Sequence, residues 1–221
     1  MNRHIIVSLI GFLLLCSCSR QHAFIHTLRE AELHMTTAPD STLQLLDQIA
    51  DAACSNDYAV RARYTLLRAQ ASWRLYAKTP SDTALASTVA FFRNPIRQPE
   101  LCTAIYYRAM PLYEHGEHAE ATALLIEGER MAEDIGNDSL CSKYYESLCM
   151  VNENAHCYDN WLHYAKKFLR HSLFINNVEY IIRGMNEVQA LLANWGRETA
   201  VWHICCKQCR CLTIQPRRTN P

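Results

Sequence analysis

From residue 24 onward the apolar positions fall three and four apart in one segment after another. That spacing puts side chains on one face of an α-helix. Phe24, Leu28, Ala31 and Met35 form one stripe, and Val60, Tyr64, Leu67 and Ala71 another. Leu101, Ile105, Ala109 and Leu112 precede Ala121, Leu125, Gly128 and Ala132. Tyr144, Leu148, Val151 and Ala155 come next, and then Val178, Ile181, Met185, Val188 and Leu192. The breaks are periodic as well: Pro39-Asp40-Ser41, Pro80-Ser81-Asp82, Gly116, His156 to Tyr158 and Gly196 succeed one another in steps of roughly 36 to 41 residues. Between them lies a second class of break, at Ser55-Asn56-Asp57, Asn94-Pro95, Gly136-Asn137-Asp138 and Asn176-Asn177. Proline ends the preceding helix, and a short polar side chain caps the free amides of the next one. Each period therefore holds two helices, and the expected fold is all-α, an α-solenoid of antiparallel helix hairpins.

Composition narrows the class of function. Six glycines and seven prolines in 221 residues are too few for the turns of a sandwich or barrel. No two glycines stand close enough to build a phosphate-cradling loop. A net charge of zero with 20% charged and 49% hydrophobic residues excludes a disordered chain, and nothing points to a nucleic-acid partner.

The amino terminus has a short basic start, Met1 to His4, and an apolar run from Ile5 to Leu15 that is too short to span a bilayer. It ends in Leu15-Cys16-Ser17-Cys18, which resembles the lipobox of bacterial lipoproteins. The resemblance implies cleavage before Cys18, acylation of its thiol and stable attachment through two or more acyl chains. Residues 1–17 are then a signal peptide and 18–23 an anchor linker, and the membrane is reached through lipid. Of the 11 cysteines, one is discarded and one is modified, and the nine left cannot all pair. Cys54, Cys102, Cys141, Cys149 and Cys157 read as single small apolar residues of helices, although an oxidising compartment permits a disulfide among them.

Residues 102–133 resemble the tetratricopeptide repeat. Ala109, Leu112, Gly116, Ala121, Leu125 and Gly128 fall where that family wants small, large, turn, small, large and small residues. Small residues let two helices cross closely and large ones fill the space beside them. Ile105 stands where an aromatic is usual, Arg108 replaces an apolar residue, and Pro111 is expected to kink its helix. The forty-residue step exceeds the family's 34, and HEAT-like repeats, at about 40–47, are the alternative. Ala31-Glu32-Leu33, Ala38-Pro39-Asp40-Ser41 and Leu43 through Ile49 look like the opening of tetratricopeptide-repeat lipoproteins of Bacteroidetes-type bacteria. The resemblance covers most of residues 18–196, and the tetratricopeptide-like repeats are expected over 24–196. It implies a lipid-anchored protein of the cell envelope that acts as a protein–protein interaction scaffold.

Candidate chemistry is sparse. His22 with His26, and His115 with His118, have helical spacing but lack a third zinc ligand, and Glu114, Glu117 and Glu120 read as a solvated turn. No metal, cofactor or catalytic residue is expected, and the chain does not read as an enzyme. Tyrosine is the informative excess, at 11. Tyr106-Tyr107 and Tyr144-Tyr145 lie on first helices of adjacent periods, as do Arg63, Arg68, Arg74 and Arg108, and first helices line the groove in the family resembled. Tyr106, Tyr107, Arg108, Tyr144, Tyr145 and Arg68 are therefore the expected contacts for a protein partner. The alternative is that one tyrosine of each pair is simply core.

Residues 197–221 depart from the pattern. Cys205, Cys206, Cys209 and Cys211 crowd beside His203, and the last 23 residues carry four basic side chains and no acid. Residues 18–198 hold 17 basic against 22 acidic residues. Cys206-x-x-Cys209 has ligand spacing but is a single pair. After Gly196 the repeat calls for a second helix to cover Val178 to Leu192, and this tail covers it poorly. A repeat array cut short by a frameshift or early stop accounts for that. Two other functions stay open: a sensor-repeat fragment of a membrane-coupled regulatory protein, and a glycan-uptake accessory lipoprotein. Sequencing the DNA is expected to reveal helical-repeat text in another reading frame after codon 198, and its absence from every frame refutes the frameshift.

Overall fold

The computed structural model describes residues 21–93 and 98–194. Within them the chain is all-helical with no strand. The first helix, α1, covers 21–34, and α2 covers Pro39–Gln48, followed by a short 3₁₀ turn at Ala50–Cys54. Then come α3 (Tyr58–Arg74), α4 (Asp82–Phe92), α5 (Gln98–Glu114) and α6 (His118–Asp134). The order closes with α7 (Asp138–Asn154), α8 (Tyr158–Phe174) and α9 (Val178–Asn194).

The turns explain the period. Tyr76, Gly116, Gly136, His156 and Asn176 each stand two places past a helix end with φ between +52° and +90°. In that left-handed conformation the next amide reaches back five residues to an otherwise unpaired carbonyl. Ala77 bonds Ser72 at 2.9 Å, Glu117 bonds Leu112 at 3.0 Å, and Asn137 bonds Ala132 at 3.1 Å. Cys157 bonds Asn152 at 2.9 Å and Asn177 bonds Ser172 at 3.2 Å. Asn137 and Asn177 then cap the following helices, accepting the amides of Leu140 and Tyr180, each at 3.1 Å. Seventeen helical residues and a three-residue turn make a module of 20, so α5 to α9 start 20 residues apart. The breaks expected at Gly116, Gly136, His156 to Tyr158 and Asn176-Asn177 are these turns. Those at Asn94-Pro95 and Gly196 lie outside the described residues.

The α3–α4 connection, residues 75–81, is longer than the three-residue turns that follow α5, α6, α7 and α8. Pro80 disfavours helix at Thr79 and offers no amide. Helix α4 therefore starts only after Ser81, whose hydroxyl accepts the Ala84 amide at 3.4 Å. Asp57 caps α3 by accepting the amide of Ala59 at 2.8 Å. Pro39 opens α2 in its first turn, where the missing donor costs nothing. Helix α5 runs through Pro111 as one continuous element.

Contacts divide the chain between Leu124 and Leu125 into two compact units. In the first, α2 packs on α3, α3 on α4 and α4 on α5, while α3 also touches α5. Its core gathers Leu28 and Ala31 of α1, Leu46 of α2, and Val60, Tyr64, Leu67 and Ala71 of α3. Burial of each Leu or Val contributes about 1.5–3 kcal/mol. In the second unit α7 packs on α8, α8 on α9, and α7 touches α9. Trp161, Ala165 and Leu169 of α8 meet Val188, Leu191 and Leu192 of α9, with Cys149 of α7 beside them. Consecutive helices joined by tight turns thus form antiparallel hairpins in solenoid order.

Two glycines mark close approaches within the second unit. A Cβ at Gly128 would overlap the phenol of Tyr144, which is fully buried. A Cβ at Gly184 would stand 3.0 Å from the Cα of Leu169, so α8 and α9 cross there. Val178, Ile182 and Met185 remain exposed on α9. Of the single cysteines, Cys102, Cys141 and Cys149 are buried as expected, but Cys54 and Cys157 are exposed because each sits in a helix connection. All five are free thiols.

A left-handed non-glycine residue costs about 1–2 kcal/mol, against about 0.5–1 kcal/mol of added unfolded-state freedom when glycine replaces it. His156→Gly is therefore expected to stabilise the protein by about 0.5–1 kcal/mol, and Gly128→Ala to destabilise it by about 1–3 kcal/mol. Urea unfolding midpoints check both signs.

Candidate functional site

Within the first unit, α3 separates two depressions. The larger, about 990 Å³, lies between the α2–α3 connection, α3 and α4. Its α3 wall presents Tyr58, Arg61, Thr65 and Arg68, which share a face because they lie three, seven and ten residues along the helix. The opposite wall is Thr83, Ser87 and Phe91 of α4, and Lys78 to Ser81 of the connection close one end. Ala62 and Ala84 keep the floor low. No Asp or Glu is among its lining residues.

The three cations of this groove are held differently. Arg68 donates to Asp47 at 2.7 Å and to the Tyr64 hydroxyl at 3.2 Å. The hydrogen bond to Asp47, outweighing partial burial, holds its guanidinium above the usual range. Arg61 donates to the Ser55 carbonyl at 3.1 Å and lies 4.3 Å from the centre of the Tyr58 ring. Neither Arg61 nor Lys78 has a carboxylate partner among the described residues. The smaller depression, about 670 Å³, lies between α1, α3 and α5. There Arg63 is bound to Glu32 at 2.6 Å. Arg74 donates to the Met35 carbonyl at 2.7 Å.

The structure places the expected contact residues mostly elsewhere. Arg68 lines the groove. Tyr106 and Tyr107 are 8% and 3% exposed and pack edge to face at 5.1 Å inside the first unit. Arg108 is clamped between Asp82 at 2.7 Å and Glu120 at 2.6 Å, and the bond to Asp82 foremost raises its pKa. Tyr144 and Tyr145, in the second unit, are 0% and 4% exposed. All four rings are interior, whereas the α3–α4 groove of the first unit has cationic and aromatic side chains in its lining.

Tyr145 belongs to a partly buried polar network in the second unit. Its hydroxyl donates to Glu133 at 2.5 Å, and Lys167 of α8 bonds Glu133 at 2.7 Å and also Glu129, which is 4% exposed. The Lys167 ammonium lies 5.0 Å from the Tyr145 ring centre, and His171 packs edge to face on that ring at 5.5 Å. Burial pushes the Glu133 carboxyl up, but the bonds from Lys167 and Tyr145 prevail and hold it below its ordinary 4.5. Burial likewise opposes the charge on Lys167, and the two carboxylates overcome it and raise its pKa. Burial and the bond to Glu133 raise the Tyr145 hydroxyl far above its usual value. One ammonium serving two carboxylates is a clamp that ties α6 to α8.

His26 pairs with Glu30 at 3.6 Å on the surface, and His118 tilts against Tyr113 at 4.6 Å. Among the described residues no three His, Cys, Asp or Glu side chains are grouped to hold a metal ion, and no helix is long and apolar enough to cross a membrane. Cys18, and the Cys205 to Cys211 run with His203, lie outside the described residues. No protein-family model matches the chain, and none of the curated proteins does. What the fold defines is a class, an all-α protein of stacked antiparallel helix hairpins.

Glu133 adds stability that is present above its unfolded value near 4.5 and lost as pH falls through its lower folded value. Lys167→Met is expected to cost on the order of 3 kcal/mol at neutral pH by stranding Glu129. It is also expected to remove the acid-side loss that Glu133 contributes. Urea unfolding at pH 7 and at steps down to pH 3 checks both, and unchanged curves would show that the clamp contributes nothing.

Proposed function

We propose that this protein is a lipid-anchored cell-envelope scaffold of tetratricopeptide-like repeats, binding another protein through its helical repeats. The observation that carries the reading is the α3–α4 groove. It is an accessible depression with cationic and aromatic walls and no acid in its lining, on a frame of stacked hairpins. Aromatic and Arg side chains are those that interfaces use as anchors, and a rigid helical frame presents them with little entropy to lose on binding. The anchoring part rests on Leu15-Cys16-Ser17-Cys18, with Cys18 as the acylated thiol.

A photo-crosslinking amino acid at Ser87, inside the groove, is expected to give one defined adduct in cells of the source organism. The same amino acid at Asn186 of α9 is expected to give none. Lys78→Glu should abolish the Ser87 adduct, and Cys18→Ser should shift the chain from membranes to the soluble fraction. Adducts of equal yield at both positions, unaffected by Lys78→Glu, would falsify the groove as the binding surface.

A further inference from the structure

Resting on the reading that Cys18 is acylated, we infer that the end of the first unit formed by the starts of α1 and α3 sits on phospholipid headgroups. Tyr58 and Arg61 make the contact: the ring enters the interface and the guanidinium binds a headgroup phosphate. The first ground is reach. Cys18 stands three residues before Gln21, where α1 begins, and three residues in any conformation span at most about 11 Å. The headgroup layer of one leaflet takes up about 5–8 Å of that. A single helix is about 10–12 Å across, so no folded partner fits between this end and the bilayer. The neighbours of Gln21 on that side are lipid.

The second ground is what this end presents, and it is independent of the anchor. The Gln21 side-chain amide donates to Asp57 at 2.7 Å, and at the far end Arg74 of α3 donates to the Met35 carbonyl at 2.7 Å. Helices α1 and α3 therefore run parallel, and the start of α1 is level with Tyr58. Tyr58 is 66% exposed, and the Arg61 guanidinium lies 4.3 Å from its ring centre while donating to the Ser55 carbonyl at 3.1 Å. A tyrosine, with an apolar body and a polar tip, suits the boundary between hydrocarbon and water. A planar guanidinium matches two phosphate oxygens at once, and Arg61 is oriented before the phosphate arrives. The exposed Ala53 and Cys54 beside them carry no charge. Of the two acids nearby, Asp57 is occupied by Gln21 and by the Ala59 amide at 2.8 Å, and Asp51 also has a partner in the protein. With this end on the bilayer, the Lys78 to Ser81 end of the groove faces away from it and stays open to a protein partner.

The test uses the full lipidated chain in liposomes of phosphatidylethanolamine and phosphatidylglycerol. Benzoylphenylalanine, a photo-crosslinker, replaces Tyr58 in one protein and Tyr76 in another. Tyr76 is 99% exposed and lies beyond the other end of α3, about 25 Å away along the helix. On irradiation the Tyr58 position should give phospholipid adducts, read by mass spectrometry, at least tenfold above the Tyr76 position. Arg61→Gln should cut the Tyr58 adduct severalfold and Arg61→Lys should keep most of it, with the urea midpoint reporting that both variants fold. Equal adduct yields at Tyr58 and Tyr76, no lipid adduct at either, or Arg61→Gln equal to the parent overturns the inference. So does a protein adduct in place of a lipid one when the Tyr58 variant is irradiated in cells. If any of these occurs while Cys18 carries its acyl chains by mass, this inference fails and the anchored reading stands. If Cys18 carries no lipid, the anchored reading fails and this inference with it.

Discussion

A left-handed residue two places beyond the helix end recurs at 76, 116, 136, 156 and 176, and the arrangement of the helices depends on it. At 116, 136, 156 and 176 the chain thereby reverses in three residues, satisfies the last carbonyls and reaches the cap of the next helix with no slack. Helices of 17 residues are about 25 Å long, so each of these four reversals returns the chain to the level at which it set out. A step of 20 residues keeps the apolar stripe of each helix facing its neighbours. Packing of α7 on α8 and of α8 on α9, and the close crossing at Gly184, result from that shared phase.

The candidate binding site lies where this rule is broken. Pro80 disfavours helix at Thr79, so α4 begins late and runs for 11 residues rather than 17. The missing turn of helix is replaced by the connection carrying Tyr76, Lys78 and Ser81, and the depression opens beside it. Elsewhere in the described residues the charged side chains that leave the surface are used for cohesion. Arg108 joins the α4 and α6 starts through Asp82 and Glu120, and Lys167 serves Glu129 and Glu133. Such bonded charges hold helices together and are not offered to a partner.

The tyrosine pairs show how far pattern carries an argument about a site. Adjacent residues on a helix point about 100° apart, so Tyr106-Tyr107 and Tyr144-Tyr145 suggest one ring inward and one outward. A first helix of a hairpin stack is covered on several sides, however, and every ring of the two pairs is enclosed. The groove had a weaker sequence signal: Tyr58, Arg61 and Arg68 lie on one face of α3, beside the stripe of Val60, Tyr64, Leu67 and Ala71. Nothing in the sequence paired that face with Ser87 and Phe91 of α4, since that depends on the crossing of two helices.

Helix existence, the turn positions and the repeating step were determined by the sequence alone. Periodic burial and the chemistry of Gly, Pro, Asn and Asp at helix ends act over a few residues, and the chain spells them out locally. Which side chains are exposed was decided only by tertiary structure. Exposure of Tyr76, enclosure of Tyr145 and the pairing of Arg108 each depend on elements 12 to 26 residues away along the chain or on a turn held open by its neighbours. Burial and ion pairing are properties of packed surfaces, and the linear pattern records which residues can pack but not which of them meet.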